Sequence, residues 1–236
     1  MIFRKRKRDR GDDQGDRRLR RRDRETDQVE TNPTQDDEET RPAPQRRHGP
    51  YDAAEVEMPD DPASVGRVDL GGLQIPAMEG IELRLQIDQA SQTVVAALLV
   101  RGDSALELRA FAAPRSTGIW DEIRKEIAVE TTRRGGVATE AIGPFGPEIK
   151  VVLPTRTPDG RQVTQTSRIV GVDGPRWFLR GTLIGRAATD PAVAGPLLHA
   201  MSHVVVVRGK APMAPRDMIP LRIPEAARAQ VLQQRA

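Results

Sequence analysis

Residues 81–112, IELRLQIDQASQTVVAALLVRGDSALELRAFA, decide the fold. From Ile81 to Asp88 apolar and polar side chains alternate strictly, which is the two-residue period of a strand with one face buried and the other in water. Thr93 to Val100 predicts a second strand that is apolar on both faces, and Leu106 to Ala112 repeats the alternation. Because short connections separate these segments, we expect three antiparallel strands.

Two later segments predict helices. The first begins after Pro114 to Gly118, where the alternation gives way to an apolar stripe at helical spacing. The stripe consists of Ile119, Trp120, Ile123 and Ile127. Paired glycines at positions 135 and 136 end this helix. The second helix is predicted for Pro191 to Ser202, with Asp190 as its cap and proline at its first position.

The remaining apolar segments predict further strands, separated by turns. They are Val137 to Ile142, Glu148 to Leu153, Arg161 to Val172, Arg176 to Ile184 and Val204 to Val207. Many strands with short connections and only two main helices indicate an α+β fold. We expect an antiparallel sheet with both helices packed on one face, formed by residues 81–210.

Two segments flank this predicted domain. Residues 49–80 contain several prolines and paired acidic residues, so they are predicted to be an extended lead-in, with the folded part beginning near Ile81. Residues 211–236 are predicted to be a proline-spaced tail that packs on the domain and ends in a short helix from Glu225.

The first 48 residues form a highly charged arm. Residues 1–24 carry 12 basic and 5 acidic side chains, whereas residues 25–40 carry 7 acidic and no basic ones. With so few apolar side chains the arm cannot offset the entropy of ordering, and it is predicted to be disordered. The basic cluster Arg4, Lys5, Arg6, Lys7 and Arg8 could bind nucleic acid or a nucleoprotein, or contact anionic lipid weakly. The alternative is a solvating tail without a dedicated partner.

Several classes of protein are excluded by composition. The chain has no cysteine, which excludes disulfides, cysteine-ligated zinc, iron–sulfur clusters and cysteine nucleophiles. No apolar run is long enough to span a bilayer or to act as a secretory signal, so a cytoplasmic protein is predicted. Common nucleotide-binding and hydrolase signatures are missing. His199 and His203 share a helix face but lack an identifiable third ligand, so we predict no metal and no cofactor.

A group of arginines and phenylalanines is predicted on one face of the sheet. In residues 176–180, RWFLR, burying Trp177 and Leu179 leaves the other three side chains on the opposite face. The residues predicted for this face are Arg84, Arg109, Phe111, Arg176, Phe178 and Arg180. If it is open, the rings can stack unpaired bases while guanidiniums hold phosphates. The alternative is an ordinary half-solvated sheet in which glutamates pair with the arginines.

Four longer segments carry a family resemblance. They are FAAPRSTGIWDE (residues 111–122), GPFG (143–146), GVDGPRWFLRG (171–181) and MAPRD (213–217). These segments resemble an actinobacterial family known as a domain of unknown function, whose members are similar to this chain from about Gly49 to Pro224. The resemblance implies no activity, catalytic residue or cofactor.

The sequence therefore favours a non-enzymatic binding or scaffolding module that contacts nucleic acid or a nucleoprotein. One alternative is an enzyme or small-ligand binder with a pocket between the sheet and the first helix, near Arg115, Trp120 and Arg176. Another is a protein-interaction module that presents the proline-spaced tail. A deep pocket with convergent polar groups would favour the first alternative, whereas a flat basic sheet would favour nucleic-acid binding.

Overall fold

The computed structural model describes residues 49–157 and 159–224. The predicted charged arm and the predicted helix from Glu225 lie outside the described residues. The strands are β1 (Tyr51–Asp52), β2 (Arg67–Asp69), β3 (Leu73–Pro76), β4 (Glu82–Ile87), β5 (Val94–Arg101), β6 (Ser104–Ala112), β7 (Val137–Gly143), β8 (Gly146–Arg156), β9 (Gln162–Gly174), β10 (Trp177–Ile184) and β11 (Val205–Val206). The α-helices are α1 (Trp120–Arg133) and α2 (Pro191–Ser202).

Seven of these strands form one antiparallel sheet in the order β4-β5-β6-β10-β9-β8-β7. Along the chain, β4 to β6 form one meander, α1 follows, and β7 to β10 form a second meander. β10 pairs with both β6 and β9, which joins the two meanders into a single sheet. The protein is thus α+β with antiparallel strands, as predicted, and it contains more sheet than helix.

Different elements cover the two faces of this large sheet. Side chains alternate along β10, so Trp177 and Leu179 point to one face and Phe178 points to the other. Trp177 and Leu179 belong to a core with α2, whereas Phe178 belongs to a separate core with Trp120 at the start of α1. The prediction that both helices pack on one face is therefore wrong. Because β10 places a large apolar ring on each face, Trp177 on one and Phe178 on the other, each face needs its own cover.

A smaller sheet, in the order β1-β11-β3-β2, shares the core on the α2 face. Leu70, Leu73 and Ile75 are fully buried there beside Trp177. The folded core therefore begins well before Ile81, because the segment predicted as a lead-in supplies three strands and part of the core. At the other end of the described chain, the tail adds buried apolar side chains to the same core.

Candidate ligand-binding site

Two of the segments that carry the family resemblance hold α1 on the sheet. The carboxylate of Asp173, in β9, accepts hydrogen bonds from the backbone N–H groups of Ile119 and Trp120, at 2.8 and 3.2 Å. It thus satisfies the exposed donors at the start of α1 from a distant part of the chain. A side chain at Gly171 would collide with the Trp120 ring, so this glycine lets the ring lie against the backbone of β9. These contacts fix α1 over the sheet.

A cavity of about 460 Å³ lies between α1 and the sheet. The sheet lines it with Phe111, Val151, Leu153, Ser167, Ile169, Phe178 and Arg180. The helix side lines it with Ile123, Glu126, Ile127, Glu130, Thr131 and Arg134, and the tail adds Arg216. Its volume and its mostly apolar floor are typical of small-molecule sites.

Aromatic rings form a row that leads from the start of α1 to the floor of this cavity. Trp120 stacks on Phe178 with ring centroids 5.6 Å apart, and Phe178 stacks on Phe111 with centroids 6.1 Å apart. Phe178 is 0% exposed, whereas Phe111 is only partly buried. The row therefore runs from the core to the cavity and ends in a flat apolar surface.

Arg180 brings a positive charge to this apolar floor. Its Cζ lies 5.4 Å from the centroid of the Phe111 ring, and its Nε is buried without a hydrogen-bond partner. Burial, and then repulsion from Arg109 directly opposite, lower the pKa of Arg180. An arginine nevertheless stays charged at neutral pH. Within the part of the chain that the structure describes, no carboxylate forms an ion pair with this cation.

The glutamates at the mouth of the cavity are already paired. Arg216 from the tail contacts Glu126 of α1 at 2.9 Å. Glu130 pairs with Arg133, also of α1, at 3.1 Å. Both carboxylates that line the cavity are thus held by arginines, and neither contacts Arg180.

The predicted arginine–phenylalanine face is covered where Phe178 lies. The strand register places Phe111 opposite Phe178 and Arg109 opposite Arg180, so these four residues share one face. Because α1 and Trp120 lie over Phe178, the prediction of an open stacking surface at this residue is wrong. Arg176 lies in the turn before β10, with φ of 62°, and not in the strand.

The uncovered part of the same face carries paired charges. Arg84 contacts Glu82 at 2.8 Å, and Arg109 contacts Glu107 at 2.7 Å. Such pairs are typical of a half-solvated sheet, the alternative that the sequence left open. The basic cluster Arg4 to Arg8 lies outside the described residues.

The cavity lies between the sheet and the first helix, but the residues predicted for a pocket there do not line it. Arg115 is exposed, Arg176 lies in a turn, and Trp120 packs under the start of α1. Arg134 and Arg216 line the cavity, although neither is among the predicted site residues. Arg216 belongs to the MAPRD segment, but no local pattern indicates its contact with Glu126, 90 residues away.

The two described histidines lie on the opposite face of the sheet, at the end of α2. The ring centroids of His199 and His203 are 4.5 Å apart, and Nδ1 of His203 is 2.9 Å from the backbone oxygen of His199. Within residues 49–157 and 159–224, no group of three or more histidine, aspartate or glutamate side chains could hold a metal ion. In the same residues, no helix has the length and apolar character needed to cross a membrane.

Comparison with known proteins identifies a family. A family model described as "Protein of unknown function (DUF3710)" matches residues 49–230, which include every residue that lines the cavity. No curated protein and no solved structure matches the chain. The resemblance to a domain of unknown function is thereby confirmed.

Proposed function

We propose that this chain, which belongs to the DUF3710 family of proteins of unknown function, is a binding module that holds a small organic anion in the cavity under α1. Arg180 carries the proposal, because it is a partly buried cation on an apolar floor and contacts no carboxylate within the described residues. Taking a charge out of water costs free energy unless a group of opposite charge is supplied. A carboxylate or phosphate of the ligand would supply that group.

The rest of the cavity favours a flat apolar body for the ligand. Phe111 and Ile169 from the sheet, and Ile123 and Ile127 from α1, present apolar side chains on two opposing walls. A planar ring system between these walls would bury apolar area on both of its faces. We therefore expect a ligand with one anionic group and an aromatic or similarly flat body.

The same lining favours binding over catalysis. Glu126 and Glu130 are held by arginines at the mouth of the cavity. Ser167 lines the floor, but the two described histidines lie on the opposite face of the sheet. A hydroxyl nucleophile needs a base in contact with it, and the lining brings no such pair together within the described residues. The enzyme alternative therefore has weaker support than the binding module.

Titration with 2-naphthoate, a flat aromatic carboxylate, tests this proposal by calorimetry. We expect saturable binding to the full chain and binding at least about tenfold weaker to Arg180→Met, because a hydrogen bond to a charged group contributes about 1.5–3 kcal/mol. Arg84→Met is the matched control, since Arg84 is exposed, pairs with Glu82 and lies outside the cavity.

The neutral analogue 2-naphthalenemethanol separates the charge from the apolar body. It should bind clearly more weakly than 2-naphthoate to the unmodified chain. Equal binding of naphthoate by Arg180→Met and the unmodified chain would overturn the proposal, and so would the absence of saturable naphthoate binding. If Arg84→Met lost as much affinity for naphthoate as Arg180→Met does, the loss would reflect the net charge of the protein and not a contact with Arg180.

A second candidate function is nucleic-acid binding through residues 1–24, which the block of 12 basic side chains favours. We assign this contact to the arm and not to the sheet face, because Glu82 and Glu107 already hold Arg84 and Arg109. Phosphate neutralisation releases counterions, so such binding weakens as the salt concentration rises.

Titration with single-stranded RNA at several salt concentrations tests this second function. Removal of residues 1–24 should weaken binding and flatten the salt dependence by about 0.7 in the log–log slope for each lost phosphate contact. Equal affinity and equal slope in the shortened chain would contradict a role of the arm in binding.

A further inference from the structure

A cleft of about 820 Å³ lies on the opposite face of the large sheet, between α2 and the hairpin of β7 and β8. The hairpin and its neighbouring strand line it with Ile142, Phe145, Lys150 and Arg168, and α2 lines it with Leu198 and His199, among others. It shares no lining residue with the cavity under α1. The cleft is therefore a separate site.

Two cations lie side by side on the floor of this cleft. Lys150 of β8 is directly opposite Arg168 of β9, and like charges in that arrangement destabilise a sheet. Glu148 compensates Arg168 alone, because its two carboxylate oxygens accept hydrogen bonds from Nε and Nη2 of Arg168 at 2.7 and 2.8 Å. Among the residues that the structure describes, no carboxylate pairs with Lys150.

Burial fixes the pair of Glu148 and Arg168 in place. Their side chains are 8% and 14% exposed. A side chain at Gly143 would collide with the Glu148 carboxylate, so the backbone of the hairpin closes directly over the pair. A turn of Glu148 toward Lys150 would disrupt its two-bond contact with Arg168. The floor of the cleft therefore keeps an uncompensated positive charge.

The walls of the cleft add apolar surface and two imidazole rings. Ile142 at the end of β7 is 81% exposed, and Phe145 and Leu198 line the same cleft. Exposed apolar side chains that surround a cleft are typical of a surface that contacts a ligand. The rings of His199 and His203 meet edge to face on the α2 side. The cleft thus combines a cationic floor with walls that suit an organic group.

We propose that this cleft binds a small phosphate monoester. The phosphate would contact Lys150 beside Arg168, and its organic group would lie along Ile142, Phe145 and Leu198. A phosphate monoester carries more than one negative charge near neutral pH, which suits a lysine that is unpaired among the described residues and lies beside an arginine. A lysine ammonium serves such an oxygen cluster as a compact point charge.

Histidine ring-proton NMR of the full chain, with phenyl phosphate as the probe, tests this proposal. The chain contains only three histidines, so the signals of His199 and His203 can be assigned with His199→Gln and His203→Gln. At constant pH, phenyl phosphate should shift both signals along one saturable curve. Lys150→Met should raise the dissociation constant at least about tenfold. Lys125→Met, at an exposed position on α1, is the matched control and should leave the curve unchanged.

Two further probes separate the parts of this proposal. Inorganic phosphate should produce a weaker but saturable shift, whereas benzyl alcohol should produce none, because the anion is the main contact. The Arg180→Met variant should bind phenyl phosphate normally, which separates this cleft from the function proposed above. Unchanged binding in Lys150→Met, the absence of a saturable shift, or equal affinity for phenyl phosphate and inorganic phosphate would overturn the proposal.

Discussion

The two faces of the large sheet arrange their charges in opposite ways. Each face has two cations directly opposite each other on neighbouring strands, with one glutamate two residues away on one of these strands. On the α1 face, Glu107 pairs with Arg109, which leaves the partly buried Arg180 without a contacting carboxylate in the described chain. The arginine without a paired carboxylate among the described residues, Arg180, is therefore one that is partly removed from water.

The α2 face leaves its uncompensated charge in water. There Glu148 pairs with the buried Arg168, and the exposed Lys150 is the cation without a carboxylate among the described residues. An exposed ammonium keeps its hydration, whereas a buried guanidinium loses part of it. Removal of the unpaired cation should therefore stabilise the protein more on the α1 face than on the α2 face.

The largest expected effect is the loss of stability when a buried aromatic ring is removed from either face of the large sheet. Trp177 and Phe178 are adjacent, point to opposite faces and are both 0% exposed. Replacement of either by alanine should lower the free energy of unfolding by about 3–5 kcal/mol, because each leaves a large cavity in a packed core. Urea denaturation followed by circular dichroism measures both losses.

Val129→Ala is the control for this pair of variants, since Val129 is 60% exposed on α1 and its truncation should cost at most about 0.5 kcal/mol. A Phe178→Ala variant as stable as this control would mean that α1 does not cover the sheet in solution. That result would also remove the cavity on which the proposed function rests.

The next largest effect is the difference in stability cost between neutralising Glu148 and neutralising Glu107. Glu148→Gln leaves the buried Arg168 without its ionic partner and should cost about 3 kcal/mol. Glu107→Gln should cost about 1 kcal/mol, because Arg109 is more exposed and also contacts Gln86 at 3.2 Å. Urea denaturation of both variants measures this difference, and equal costs would contradict the contrast in burial between the two faces.

Local patterns in the sequence predict much of the fold. Alternation at residues 81–88 and 106–112 predicts β4 and β6, and the apolar run at residues 93–100 predicts β5. The apolar stripe from Ile119 predicts α1, which begins at Trp120. The proline behind Asp190 predicts the start of α2 at Pro191, where the Asp190 side chain accepts bonds from the first turn. These elements are predictable because the spacing of apolar residues and the capping of a helix both depend on residues that are close together in the chain.

The candidate sites depend on contacts that spacing does not encode. The two-residue period indicates that Trp177 and Phe178 point to opposite faces, but it cannot tell which element covers each face. Capping of α1 by Asp173 and the contact of Arg216 with Glu126 join residues that are far apart in the chain. The same limit applies to residues 49–80, where the sequence predicts only an extended lead-in, because short strands become recognisable only when their partner strands are known.

The third effect is the difference in stability between the variants that replace Arg180 and Arg109, which lie opposite each other on neighbouring strands. Arg180→Met should leave the free energy of unfolding unchanged or raise it by up to about 1 kcal/mol, because methionine keeps apolar contacts and removes a poorly solvated charge. Arg109→Met should lower it by about 1 kcal/mol, because Glu107 loses its ionic partner. Thermal and urea unfolding without ligand measure both changes, and a clear loss of stability in Arg180→Met would show that its contact with the Phe111 ring outweighs the cost of burial.

The smallest expected effect is a change with pH in the stability cost of replacing Asp173, which caps the start of α1. Burial raises the pKa of Asp173, although the Ile119 and Trp120 amides oppose the shift. A carboxyl whose pKa is raised on folding favours the folded state most when it is protonated, and this contribution is lost as the pH rises through the folded pKa. Asp173→Asn does not titrate and should cost about 1 kcal/mol at pH 7 through the weaker cap. Its cost should therefore be larger near pH 4 than at pH 7. Urea denaturation of both chains at the two pH values gives this difference, in which the titration of groups that do not interact with Asp173 cancels, whereas Asp121 also contributes because it raises the pKa of Asp173 by repulsion. A cost that grows toward pH 7 would instead mean that attraction between the carboxylate and the helix N-terminus outweighs its burial.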